Sequence, residues 1–211
     1  FRSTSVLMID YLHVLDQYVK LFPDEKDTLQ PVRGFLESTR DPADRVDRKN
    51  FRGHLTASCL LVDPINEQIL LFHNPRYNVL LQPGGHFESS SETPIEVATR
   101  KVLAETSYSK SAVKYLAYDY DPLVPLDVDT HPINHERRHV HHDLRYVFLH
   151  TRGSDTNRAS DEAEALAEHK YVWYDFAELS RLTTFARLFR KLNQFLSRDG
   201  ARRRFYLGLT Q

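Results

Sequence analysis

Apolar residues near the start of the chain recur every three or four positions, which is the spacing of an amphipathic helix. This first stripe consists of Met8, Ile9, Leu12, Leu15, Val19 and Phe22. Pro23 ends it, and a second helical stretch carries the apolar residues Leu29, Val32, Phe35 and Leu36. The charge-rich residues 38–50 lack such a period and are predicted to be a loop or linker. Residues 1–49 are therefore predicted to form an N-terminal helical extension.

After Gly53 the pattern changes to short apolar runs that are typical of strands. Strands are predicted at residues 56–62, 68–73, 78–82, 113–120, 126–131, 139–150 and 171–174. Helical spacing predicts one helix beginning near Pro94 and a last one over 182–195, with a helical turn or loop at 160–169. Helices interleaved with strands predict an α/β sandwich with a mixed sheet. The main domain is placed at residues 50–180, followed by a C-terminal amphipathic helix and basic tail at 181–211, all within one compact unit.

The composition is that of an ordinary globular protein. Hydrophobic residues make up 41% of the 211 residues and charged residues 27%, which excludes disorder as the dominant state. The single cysteine, Cys59, excludes a disulfide scaffold and a cysteine-based zinc site. No apolar run approaches the roughly 18 residues of a membrane helix. No signal peptide is visible, although Phe1 suggests a trimmed start, so a cytoplasmic protein is expected.

Positive and negative charges nearly cancel over the whole chain, but they are unevenly distributed along the sequence. The net charge of −1 gives no general attraction to nucleic acid or anionic membranes, so neither is expected as a partner. Residues 181–211 contain eight basic residues and one acidic residue, ending in Arg202, Arg203 and Arg204. This run is interpreted as the solvated face of a terminal helix, with binding of a polyphosphate or a partner as the alternative.

The segment from Gly84 to Tyr108 resembles the signature box of the Nudix superfamily, G-x5-E-x7-R-E-U-x-E-E-x-G-U, where U is aliphatic. Six residues instead of five separate Gly85 from Glu92. Lys101 replaces the first glutamate of the box helix, Ala104 replaces the second, and Ser107 replaces the glycine. Other segments are similar to one bacterial Nudix subgroup. They are FRGHLTAS at 51–58, LLQPGGH at 80–86, DVDTHPI at 127–133 and HVHHDLRY at 139–146. EHKYVW at 168–173 resembles the late Nudix segment that ends in a tryptophan-bearing strand.

The resemblance implies a Nudix α/β/α sandwich and hydrolysis of a diphosphate with divalent cations held by glutamates. Positions 101, 104 and 105 share one helix face, which here offers the carboxylate of Glu105 beside the ammonium of Lys101. An ammonium repels a cation and can instead pair with Glu105, so only a weak Mg²⁺ or Mn²⁺ site is expected. The remaining candidate ligands and catalytic groups are Glu88, Glu92 and the Gly85 carbonyl, with Glu168 as a general base. The candidate substrate-binding side chains are Arg76, Arg100, Lys101 and Arg145.

A second group of polar residues points to a different metal. Residues alternate between the two faces of a strand, so His139, His141, Asp143 and Arg145 lie on one face. Asp127, Asp129 and His131 share a face of the preceding strand, and a short connection predicts that the two strands form an antiparallel hairpin. His131, His139, His141 and Asp143, with His86 from across the site, suit Zn, Fe or Mn. The alternative is a hydrogen-bonded, solvated hairpin, or histidines that contact substrate phosphates; His54 is interpreted as an ordinary strand residue.

Three hypotheses follow. The first is a metal-dependent Nudix hydrolase of a nucleoside diphosphate-linked or related diphosphate substrate. The second is a transition-metal enzyme that uses the histidine hairpin for other chemistry. The third is a catalytically inactive domain that binds a nucleotide or partner, with Lys101 as a built-in cation. Each allows a phosphorylated small molecule as ligand, and the helical extensions offer a surface for a homodimer.

Overall fold

The structure is a computed structural model that describes residues 9–74, 78–106, 108–118, 121–133, 139–151, 171–182, 185–197 and 203–205. Its centre is a mixed sheet. The strands are β1 (His54–Asp63), β2 (Gln68–Asn74), β3 (Val79–Leu81), β4 (Gly84–His86), β5 (Val113–Tyr118), β6 (Asp127–Ile133), β7 (His139–His150), β8 (Tyr171–Asp175) and β9 (Arg203–Phe205). The predicted strands are therefore present, and residues 160–169 lie outside the described residues.

The helices are α1 (Tyr11–Leu21), α2 (Gln30–Ser38), α3 (Pro42–Val46), α4 (Pro94–Thr106), α5 (Phe176–Leu179) and α6 (Ala186–Ser197), with 3₁₀ turns at Pro23–Glu25 and Lys110–Ala112. The prediction of a loop throughout 38–50 is wrong at α3. There Asp41 accepts a hydrogen bond from the Ala43 N–H at 2.9 Å and Pro42 occupies the first turn. A helix of five residues is too short to show an apolar period, so only these end signals mark it.

The topology brings distant parts of the chain together. The strand order is β3-β2-β1-β7-β5-β9, while β4 pairs with β1, β6 with β7 and β8 with β2. β1 and β7 run parallel with His54 opposite His141, and the predicted β6–β7 hairpin is antiparallel with His131 opposite His141. Three histidines from three strands therefore lie side by side at one end of the sheet.

Helices cover the central strands on both sides, which gives the α/β/α sandwich. Every residue of β1 is buried, as expected of a central strand with both faces covered. Cys59 lies in this strand, and burial raises the pKa of its thiol well above the ordinary value, which does not favour a nucleophilic role. At the other end of the chain, Arg203 and Arg204 belong to β9, so the interpretation of this tail as a helix face is wrong there. Among the described helices, none has the length and apolar character needed to span a membrane.

Candidate functional site

The Arg100 side chain contacts several residues of the segment that precedes α4. Its guanidinium forms ion pairs with Glu92 at 2.9 Å and Glu88 at 3.0 Å, and it donates a hydrogen bond to the His86 carbonyl at 3.2 Å. Partial burial works against ionisation of Glu92, but the hydrogen bonds from Arg100 hold the pKa of this carboxyl below its ordinary value. Two of the predicted metal-binding carboxylates are thus already paired with a cation.

Lys101 and Glu105 form the ion pair that their i, i+4 spacing allows. The Lys101 Nζ lies 3.4 Å from Glu105 Oε1, and Tyr171 donates its hydroxyl hydrogen to Glu105 Oε2 at 2.6 Å. The lysine side chain also lies over Gly85, since a Cβ added to that residue would be 2.6 Å from Lys101 Cε and 3.2 Å from Nζ. The ammonium therefore lies beside Glu105 and against the backbone of Gly85.

This arrangement does not fit the magnesium ion that the Nudix resemblance implies. Mg²⁺ requires several oxygen ligands and excess negative charge. Here Glu88 and Glu92 are paired with Arg100, and Glu105 is paired with Lys101. Position 104 is an alanine. Glu168, the expected general base, lies outside the described residues, as does Arg76.

A cleft of about 490 Å³ opens beside the box. Its walls come from α3 and the turn after it, from the loop after β4, and from α4. We call it the basic cleft because it is lined by four cationic residues and two acidic ones, which are Arg48, Lys49, Arg100, Lys101, Asp47 and Glu88. Glu88 is paired with Arg100, whereas the described residues include no ion-pair partner for Arg48 or Lys49. The cleft therefore carries net positive charge in a chain whose total charge is −1.

Five imidazoles meet at the end of the sheet, next to this cleft. We call this group the histidine cluster; it consists of His54, His86, His131, His139 and His141. His139 Nε2 lies 3.0 Å from His141 Nε2, and His86 Nε2 lies 3.3 Å from the same atom. One ring nitrogen from each of His54, His139 and His141 lies within 4.8 Å of the other two. The structure thus brings together all four histidines predicted as ligands and adds His54.

His54 is held in one orientation at the base of the cluster. Its side chain is fully buried, and Nδ1 lies 3.3 Å from the Asn50 carbonyl oxygen. If Nδ1 carries the proton, Nε2 bears a lone pair, and this buried nitrogen has no hydrogen-bond partner among the described residues. Buried polar atoms normally have a partner, so this nitrogen marks a position where a ligand is expected.

Two of the clustered imidazoles, His86 and His141, favour the neutral form. Burial and the neighbouring imidazoles lower the pKa of His141 to about 3, and burial with nearby His54, Arg48 and Lys101 lowers the pKa of His86 to about 4. His131 is oriented separately, since its Nδ1 lies 2.8 Å from Asp129 Oδ2. Neutral imidazoles with buried lone pairs are suitable metal ligands.

Asp143 and Arg145 share the strand face of the histidines, and Asp129 connects Arg145 to His131. Asp143 accepts hydrogen bonds from Thr56 at 2.8 Å and Ser58 at 2.6 Å, whereas Arg145 pairs with Asp127 at 3.0 Å and Asp129 at 2.9 Å. The metal-ligand role predicted for Asp143 and the substrate-binding role predicted for Arg145 are therefore not supported by their contacts. Their functional groups are used in buried pairing within the sheet.

The fold and the box together define a Nudix domain. The model of the NUDIX domain family matches residues 52–194, so this chain belongs to that family. No curated protein sequence matches it.

The chain is also similar to several solved structures. An Ap4A hydrolase from C. elegans is 15% identical, with 68% of this chain and 98% of that chain covered and a TM-score of 0.46. A NUDIX family hydrolase from Clostridium perfringens is 17% identical, with 67% and 97% covered and a TM-score of 0.44. The E. coli dihydroneopterin triphosphate pyrophosphohydrolase is 13% identical, with 67% and 93% covered and a TM-score of 0.43.

Proposed function

We propose that this Nudix-family protein binds the phosphate groups of a small molecule in the basic cleft. Positively charged side chains there take the place of a metal ion bound to the box glutamates. The observation that carries this proposal is the position of Lys101, whose ammonium lies against Gly85 and 3.4 Å from Glu105. Arg48 and Lys49, in the turn after α3, supply further positive charge to the lining of the cleft. Guanidinium and ammonium groups bind phosphate oxygens through charge-assisted hydrogen bonds.

Family membership supports hydrolysis as the reaction and a diphosphate-linked small molecule as the substrate. The catalytically inactive alternative is favoured by a different observation, the pairing of Glu88, Glu92 and Glu105 with side-chain cations. Incubation of the protein with nucleoside diphosphate-linked compounds separates the two. Release of a phosphorylated product supports the hydrolase, and saturable binding without product supports the binding domain.

The binding proposal is tested by titrating inorganic pyrophosphate into the protein in the presence of EDTA, using isothermal calorimetry. We expect saturable binding that Lys101→Glu weakens at least tenfold, because the substitution replaces an attracting charge by a repelling one. A tenfold change corresponds to about 1.4 kcal/mol. Lys101→Glu also restores a box glutamate, so added Mg²⁺ should recover part of the lost affinity in this variant alone.

Lys26→Glu is the matched control, because it makes the same change of charge at an exposed residue that does not line the basic cleft. It should leave the affinity for pyrophosphate unchanged. Equal weakening by both substitutions would mean that only net charge matters. Binding by the unaltered protein that is absent in EDTA and appears with Mg²⁺ would also contradict the proposal.

A further inference from the structure

We propose that His54, His139 and His141 form a binding site for a divalent transition-metal ion of the zinc type. The site is separate from the box glutamates, and its formation does not depend on the phosphate-binding function proposed above. It is built by the parallel pairing of β1 with β7, which places His54 opposite His141, while His139 lies two residues earlier on the same face of β7.

The distances between ring nitrogens suit one shared ion. In a tetrahedral zinc site the Zn–N distance of 2.0–2.1 Å places ligand nitrogens about 3.3–3.4 Å apart. The Nε2 atoms of His139 and His141 are 3.0 Å apart, and those of His86 and His141 are 3.3 Å apart. Each of the three proposed ligands has a nitrogen within 4.8 Å of the other two. A small movement of the rings would therefore complete the ligand geometry.

The buried nitrogen of His54 supplies a second, independent observation. His54 is fully buried, and its Nε2 has no hydrogen-bond partner among the residues that the structure describes. Its Nδ1 faces the Asn50 carbonyl at 3.3 Å, which is the backing contact typical of a metal-binding histidine. The same kind of contact orients His131, whose Nδ1 faces Asp129.

The ligand type selects the metal. Imidazole nitrogens suit Zn²⁺ and neighbouring transition metals, whereas Mg²⁺ prefers oxygen ligands. Three histidine ligands leave a fourth position for His86 or a water molecule, as in catalytic zinc sites. His86 also lines the basic cleft, so this fourth position lies on the side of the cluster where a phosphorylated ligand would bind.

The test uses the full chain without a histidine tag, freed of metal with a chelator and titrated with ZnCl₂ against a chromophoric competitor. We expect one equivalent to bind, and we expect the double substitution His139→Ala, His141→Ala to weaken binding at least a hundredfold. Because His139 and His141 are partly buried, the double substitution removes packing contacts as well as ligands. His139→Asn alone therefore provides a milder variant, with an expected loss of zinc affinity of at least tenfold. Near-UV circular dichroism checks that each variant is folded.

His142→Ala is the matched control, because His142 follows His141 on β7 but lies on the opposite face, stacked on Phe35. A second control is His73→Ala, at an exposed histidine outside the cluster. Both should retain one equivalent of zinc with unchanged affinity. Absence of stoichiometric zinc binding, or equal affinity in the double variant, would overturn the proposal. Since pyrophosphate binding is measured in EDTA, its persistence or loss reports separately on the proposed function.

Discussion

Replacing Arg145 by methionine is expected to destabilise the protein by about 3–5 kcal/mol, because it removes a guanidinium shared by three carboxylates and leaves the buried Asp143 without a cation among the described residues. The Arg145 side chain is 18% exposed, and it pairs with Asp127 at 3.0 Å, Asp129 at 2.9 Å and Asp143 at 3.4 Å. Methionine fills much of the same volume, so the loss reports mainly on charge. The free energy of unfolding is measured by urea denaturation followed by circular dichroism.

The effect of Arg145→Met should depend on pH. Hydrogen bonding from His131 and the charge of Arg145 overcome the effect of burial and lower the pKa of Asp129 from 3.8 to about 2. A carboxyl group with a lowered pKa stabilises the folded state above its ordinary pKa and loses this contribution as the pH falls to the lowered value. The part of the destabilisation that comes from Asp129 should therefore shrink between about pH 4 and pH 2.

Arg33→Met is the control for this prediction. Arg33 pairs with Asp16 at 2.5 Å, but the two side chains are 27% and 57% exposed. Exposed ion pairs contribute about 1 kcal/mol or less, so the control should change stability by no more than that. If Arg145→Met matched this control in stability but abolished ligand binding, Arg145 would be a substrate-binding residue as the sequence suggested.

Lys191→Met is the second large effect, with an expected loss of about 3 kcal/mol. The Lys191 side chain is 4% exposed, and its ammonium lies 2.7 Å from both Asp127 and Glu25. It thereby joins α6 to the sheet and to the turn after α1. The expected loss is at the lower end of the range because Asp127 retains Arg145, and Glu25 still accepts a hydrogen bond from Tyr18 at 2.5 Å.

Arg190→Met is the matched control for Lys191→Met, because Arg190 is the adjacent residue of the same helix and is exposed. Surface substitutions of this kind change stability by about 0.5 kcal/mol or less. Urea denaturation of the two variants measures the difference. A loss for Lys191→Met that equals the control would mean that this buried lysine contributes nothing through its charge.

Much of the histidine site could be predicted from strand alternation. The H-x-H pattern at His139 and His141 requires a shared face, and the short connection to β6 places His131 opposite them, as the structure has it. His54 was missed because its position next to His141 results from parallel pairing of strands that are far apart in the chain. A local pattern does not specify such pairing. The available signal was a histidine at the start of a predominantly apolar strand.

The ion pairs around the site were harder to predict than the position of the site. Helical spacing brings Lys101 and Glu105 together, and this pair is present. Alternation places Arg145 on the face of the histidines, but it does not show that Asp127, Asp129 and Asp143 would all contact its guanidinium. Such pairing depends on strand register and side-chain conformation, which the residue pattern leaves open. The contacts of Arg145 favour a structural role, and its role in substrate binding stays a prediction.

The structure therefore has two neighbouring sites, one suited to an anion and the other to a metal ion. The box glutamates are paired with Arg100 and Lys101, so the basic cleft is suited to an anion. The neighbouring histidines offer imidazole nitrogen ligands, so they are suited to a transition metal. His86 belongs to both, because it lines the cleft and its Nε2 lies 3.3 Å from that of His141.

Anomalous X-ray diffraction from crystals grown with equimolar ZnCl₂ and MnCl₂ tests most directly whether the histidines, and not the glutamates, bind metal. The method locates each metal by its absorption edge. We predict a zinc peak between His54, His139 and His141, and no peak of either metal among Glu88, Glu92 and Glu105. A manganese or zinc peak coordinated by those glutamates, with the Lys101 side chain displaced from Gly85 and no metal on the histidines, would contradict it.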